Sequence, residues 1–173
     1  ELEVDLGSNI SIVGIGNDIS TGTVIASQGM NVTGIDINFE SVEHYRALYE
    51  EESVKEYVES IGGKFDYYHQ DYSKNGVGEG TQDIVVFANI LEIASSQSVD
   101  GLIKQALNDV KSGGYIVVQT MTYDPELVQN NFEKMLDESG SVYEKVSVEA
   151  HFPDFKRSST EQYMYRISKV SID

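Results

Sequence analysis

Cysteine and tryptophan are absent from this 173-residue chain, and proline occurs only twice. Without cysteine there can be no disulfide, no thiol nucleophile and no thiolate metal site. Cations are scarce as well: 12 Lys and Arg stand against 29 Asp and Glu, a formal net charge of −17. A surface this acidic repels phosphate backbones, and nucleic-acid affinity depends on neutralising them. DNA and RNA are therefore not expected as partners, since the candidate basic patch, Lys156-Arg157, is too small to serve. Long apolar runs are missing too. Ile84 to Ala88 is strand-sized and far short of a membrane span. The acidic opening ELEVDLGSN lacks the apolar stretch of a signal peptide, which points to a cytoplasmic location, and the chain starts on Glu as a trimmed or processed chain would. The three His are too scattered to suggest a metal site.

What is present is ordinary for a soluble globular protein: 40% hydrophobic and 24% charged residues, in a length that suits one domain over 1–173. Short β-branched runs alternate with longer amphipathic ones, the pattern of a parallel sheet wrapped by helices. Strands are expected at 9–15, 31–37, 64–71, 83–89 and 115–121. Helices are expected after Ser20, over 39–61 with a break near Glu51, from about Val99 to Val110, and from Pro125 with Asp124 as its N-cap. Gly113-Gly114 should close the third of these. Strands at 143–152 and 161–170 are joined by too few residues for a parallel crossover, so they should form an antiparallel hairpin. The expected fold is α/β: a doubly wound, mostly parallel seven-stranded sheet, five strand–helix units followed by the hairpin. Alternation in Tyr163 to Tyr165 suggests one side of an edge strand, a surface on which two copies could pair.

Open sheets of this kind bind ligands beyond the carboxyl ends of their strands, where the strand order reverses. Five stretches follow: Gly14 to Ser20, Asp36 to Asn38, Gln70 to Tyr72, Asn89 to Glu92 and Thr120 to Tyr123. In IVGIGNDISTG, Gly14 and Gly16 allow a sharp turn with no Cβ between backbone and ligand, before a helix start that suits an anion. A lone Gly-x-Gly can also be a tight strand-to-helix turn with no ligand. Asp36, 20 residues beyond Gly16, can accept the hydroxyls of a ribose or cap the following helix. Asp71 can accept from an exocyclic adenine amine, with the Tyr72 N–H on a ring nitrogen, or be a solvated loop residue. Asn89 either faces the reactive part of a ligand or is a satisfied strand end. Asp18 would oppose a pyrophosphate and tolerate a cationic cofactor, and Ile19 takes the third-glycine position of the dinucleotide fingerprint.

The order IVGIGNDISTG, VTGIDIN, HQDYS, DIVVFANILEI and VKSGGYIVV resembles the core of class I S-adenosylmethionine-dependent methyltransferases, over residues 10 to 170. The resemblance implies that Gly14, Ile15 and Gly16 pass the methionine part of the cofactor and that Asp36 holds the ribose. Ile37 would pack on the adenine, Asp71 and Tyr72 would address its edge, and Asn89 and Ile90 would flank the sulfonium. The chain departs from the pattern at Gly14, where the family commonly has an acidic residue, and at Asp18, where it has a glycine. Helices that usually precede the first strand have no counterpart in the few residues before it: either that cover was removed, or another subunit supplies it, or the cofactor is bound in the open.

Methyl transfer asks mainly for alignment, with proton removal for some acceptors. Glu92, Tyr123 and His151, the last beside Asp154 in HFPDF, are the candidates, whereas His44 and His69 read as ordinary helix and strand residues. The expected activity is methyl transfer from S-adenosylmethionine to a small molecule or a protein. The alternatives are a non-catalytic cofactor-binding or interaction domain of the same fold and, less favoured, an NAD-dependent oxidoreductase.

Overall fold

A computed structural model describes residues 5–16, 22, 25–91, 94–121, 124–146 and 161–168. Its strands are β1 (Asn9–Val13), β2 (Asn31–Asp36), β3 (Lys64–His69), β4 (Gln82–Ala88), β5 (Val110–Thr120), β6 (Val142–Val146) and β7 (Glu161–Ser168). Helical residues lie between β1 and β2 at Gly22, Ile25 and Ala26, and the helices with both ends described are α1 (Phe39–Tyr49), α2 (Glu52–Ser60), α3 (Ser96–Asp109) and α4 (Pro125–Glu138). The strands form one seven-stranded sheet in the order β3-β2-β1-β4-β5-β7-β6. The first five run parallel, and β7 pairs antiparallel with both β5 and β6. Strand order therefore reverses at β1, flanked by β2 and β4, and the crevice opens there.

Side-chain alternation sends two sets of residues to opposite faces of the sheet. On one face Val13, Ile35, Phe87, Ile116, Val118 and Tyr165 pack beneath α3 and α4 with Ile103, Phe132 and Leu136. On the other, Ile10, Ile12, Val32, Phe65 and Tyr67 meet Val42, Tyr45 and Tyr49 of α1 and Val58 of α2. Burying each large apolar side chain contributes about 1.5–3 kcal/mol. Ser11, fully buried in β1, is satisfied by donating to Gln82 Oε1 at 2.8 Å.

The helix break near Glu51 is present between α1 and α2. The start of α4 is as expected, with Asp124 accepting from the Leu127 N–H at 3.0 Å and Pro125 at the first position. Other elements differ. Ser95 accepts from the Ser98 N–H and starts α3 three residues early. Gly113-Gly114 does not close α3 but lies inside β5, where the register with β4 shifts; a Cβ on Gly114 would stand 2.8 Å from the Asp83 carbonyl oxygen. The polar, Gly-rich run YSKNGVGEGTQ is, by contrast, the loop its composition implies, and no helix joins β3 to β4. The loop is instead held by the buried Asp109, which accepts from the Val77 N–H at 2.8 Å and from Gln105 at 2.9 Å. Nor is β7 an edge strand, because it lies between β5 and β6. Tyr163 and Tyr165 face the core, and the Tyr165 hydroxyl donates to Glu133 of α4 at 3.0 Å.

Candidate functional site

The turn after β1 is built from backbone. Gly14 and Gly16 both have left-handed φ, 79° and 54°, and the Gly14 N–H donates to the Ile35 carbonyl at 2.9 Å. A Cβ on Gly14 would stand 3.0 Å from Ile90 Cβ and 3.2 Å from the Ala88 carbonyl. Any side chain at this position would press on Ile90 and on the Ala88 backbone and would need a left-handed φ. Ile15 turns inward and is buried, and its carbonyl accepts from the buried Tyr45 hydroxyl at 3.1 Å.

Asp36 braces this turn against the end of β2. Its Oδ2 accepts from the Gly16 N–H and its Oδ1 from the Asn38 N–H, both at 2.8 Å. The cap of α1 is Asn38, which accepts from the Glu40 and Ser41 N–H groups, so the carboxylate of Asp36 is not spent on the helix. Two oxygens offer about four acceptor sites, which leaves capacity for hydroxyl donors. Ile37, next in line, is 67% exposed and lines two cavities, where its apolar side chain is available to a ligand.

At the end of β3, Asp71 accepts from the Ser73 N–H and hydroxyl and pairs with Lys74 at 2.8 Å. The Lys74 ammonium first, and the Ser73 hydroxyl second, hold its carboxyl below the usual carboxylate range. The Tyr72 ring is buried against Phe87, edge to face; burial, and then the nearby Asp109, push its phenol pKa up. Only the backbone of Tyr72 is therefore left for a ligand.

Asn89, just past β4, has φ of 54°, alone among the described non-glycine residues in being left-handed. Its N–H donates to the Gln119 carbonyl at 3.0 Å, yet its side-chain Oδ1 is buried without a hydrogen-bond partner. Strained backbone and an orphaned polar atom together cost free energy, a combination that concentrates at functional positions.

Two cavities meet along the line Gly14, Asp36, Ile37 and Ile90. One, of about 280 Å³, continues past Gly16, Asn89 and Gln119 onto the apolar face of Ile12, Phe65 and Val86. The other, of about 260 Å³, continues past Gln70, Asp71, Tyr72, Ser73 and Ser98. Joined, they suit a ligand with two unlike ends. All nine residues expected to bind cofactor line one cavity or the other. The proton-transfer candidates Glu92, Tyr123 and His151 lie outside the described residues, as do Asp18, Ile19, Ser20 and Asp154. Tyr45, Ser98 and Gln119 escaped the sequence reading, since helix and strand periodicity does not say which residue ends against a turn.

A larger groove, about 530 Å³, runs between α3 and α4 past Val99, Ile103, Leu127 and Met135, but no glycine turn borders it. Among the described residues no helix is long and apolar enough to cross a membrane, and no three His, Asp or Glu side chains gather as metal ligands.

A family model described as a methyltransferase domain matches residues 12–118. No curated protein matches the chain by sequence. Solved structures do match its fold. A SAM-dependent methyltransferase from Methanosarcina mazei is 15% identical with a TM-score of 0.68, covering 95% of this chain and 92% of that one. The YcgJ protein from Bacillus subtilis is 10% identical with a TM-score of 0.67, over 97% and 94% of the two chains. Magnesium protoporphyrin IX methyltransferase from Synechocystis, with bound SAM, is 14% identical with a TM-score of 0.65, covering 94% of this chain and 71% of that one.

Proposed function

The chain belongs to the methyltransferase domain family, and from that premise we propose that its paired cavities bind S-adenosylmethionine and that it transfers the methyl group to a small-molecule or protein acceptor. The cofactor supplies an electrophilic methyl group on a sulfonium. The rest of the reaction falls to this chain's own residues.

One observation carries the reading. Gly14 and Ile90 meet too closely for a side chain between them, and a cavity opens on either side. On one side stand Ile37, Asp71 and the backbone of Tyr72, a flat apolar contact flanked by an acceptor and a donor, as an adenine requires. Between the two lies Asp36, with acceptor capacity for a ribose. On the other side the buried Asn89 Oδ1 lacks a donor, and a cationic ammonium provides one. Two carboxylates on the lining oppose a pyrophosphate but tolerate a cation, which favours this cofactor over NAD. Glu92, Tyr123 and His151 are the groups we assign to proton removal from the acceptor, where the acceptor needs it.

Calorimetric titration with S-adenosylmethionine, S-adenosylhomocysteine and NAD in parallel tests this. Micromolar binding of the first two alone is expected. Binding of NAD, or of none of the three by a folded sample, would overturn it and turn attention to the interaction-domain alternative.

A further inference from the structure

His69, an exposed residue at the end of β3 that reads from sequence as an ordinary strand histidine, has work to do in the structure. The parallel ladder between β2 and β3 runs out at Asp36 opposite His69, with a last bond from the Gln70 N–H to the Asp36 carbonyl at 3.0 Å. The next carbonyl along, that of Ile37, has passed the end of the sheet. His69 reaches it with its ring, Nε2 to the Ile37 oxygen at 3.0 Å. A carbonyl can only accept, so Nε2 carries the proton. The same ring meets Phe39 edge to face at 5.3 Å.

We propose that His69 is a positioning residue for the cofactor, a side-chain extension of the β2–β3 ladder that fixes the segment Asp36 to Phe39 before ligand arrives. That segment brings two of the residues common to both cavities, Asp36 and Ile37. Beyond the Asp36 carbonyl, which still accepts from Gln70, its other ties among the described residues come from its own neighbours or from the glycine turn: Asp36 to Gly16 and Asn38, and Asn38 to the start of α1. Without the imidazole, Ile37 would be held from one side only. Its backbone would then have to be ordered at the moment of binding, and that ordering lowers affinity. The inference rests on the proposed cofactor reading for its consequence, although the clamp itself is a property of the free protein.

The test compares wild type with His69→Phe, which keeps a ring against Phe39 but loses the donor, and His69→Gln, which keeps an N–H at similar reach. Two quantities are read: calorimetric affinity for S-adenosylhomocysteine, and amide hydrogen exchange at Gly16 and Asn38 in the unliganded protein. His69→Phe should bind about three- to tenfold more weakly, the range for one net hydrogen bond, and exchange faster at both amides. His69→Gln should lie close to wild type in both. Losing one net hydrogen bond should lower the melting temperature of His69→Phe by no more than about 5 °C, so all three proteins stay folded at the temperature of the titration. Unchanged affinity and exchange in His69→Phe would overturn the proposal, as would a His69→Gln variant no better than His69→Phe. If wild type fails to bind at all, the cofactor reading falls, while the exchange comparison still decides whether the clamp exists.

Discussion

Replacing Gly14 by alanine, with Gly16→Ala beside it, separates two reasons for having glycine in the turn. Both positions have positive φ, so alanine at either pays about 1–2 kcal/mol for a left-handed conformation. At Gly16 that is the whole cost among the described residues, where the nearest atom to an added Cβ is the Gly14 carbonyl at 3.9 Å. At Gly14 the new methyl presses on Ile90 Cβ at 3.0 Å and on the Ala88 backbone oxygen at 3.2 Å. A rotamer change can move Ile90 Cδ1, at 3.3 Å, but neither Ile90 Cβ nor the Ala88 carbonyl moves without the backbone, and overpacking of this kind adds about 1–3 kcal/mol. For a chain of this size each kcal/mol lowers the melting temperature by about 2–4 °C. Thermal unfolding should therefore show Gly16→Ala down by roughly 2–8 °C and Gly14→Ala down further, by roughly 4–20 °C. S-adenosylhomocysteine affinity should fall more than about tenfold in Gly14→Ala, since the methyl enters the junction of the two cavities. Equal losses, or a milder Gly14 variant, would refute the close approach on which the site is built.

Asp36→Ala removes the acceptor for two backbone N–H groups at 2.8 Å, so urea unfolding should show a loss of about 1.5–3 kcal/mol together with loss of cofactor affinity. Asp36→Asn keeps one acceptor oxygen and should fall between the two in both assays. Asn89→Gly accepts the same left-handed φ and removes the orphaned Oδ1, so stability should change by less than about 1 kcal/mol while calorimetric affinity falls; a loss of stability without loss of affinity would count against a ligand role. The depressed carboxyl of Asp71 fixes the sign of a pH effect. Its stabilisation is fully present above the ordinary carboxylate pKa and is lost as pH falls through the lowered folded value. Urea unfolding across an acid series should therefore show the gap between wild type and Asp71→Asn closing toward low pH.

Much of this was legible from residue order. Gly14, Asp36, Asp71 and Asn89 each stand at a strand end, and strand ends in a doubly wound sheet converge whatever the intervening loops do. Pro125 and Asp124 announced α4 by local chemistry alone. What escaped depended on contacts distant in sequence. Gly113-Gly114 has the composition of a helix stop, but close packing against Asp83 draws it into β5. The alternating tyrosines of β7 look like an edge until β6 is found outside them. His69 gave no signal, because a single histidine at a strand end does not say that a carbonyl one residue beyond the ladder needs a donor. The orphaned oxygen of Asn89 is likewise visible only once the neighbouring strands have closed around it.

The central claim is that one ligand spans both cavities across the Gly14–Ile90 junction. Amide chemical-shift mapping during titration with S-adenosylhomocysteine tests it most directly. Saturable shifts should appear together at Gly14 and Gly16, at Asp36 and Ile37, at Tyr72, and at Asn89 and Ile90. Shifts confined to one cavity, or gathered along the α3–α4 groove at Val99, Leu127 and Met135, would contradict it.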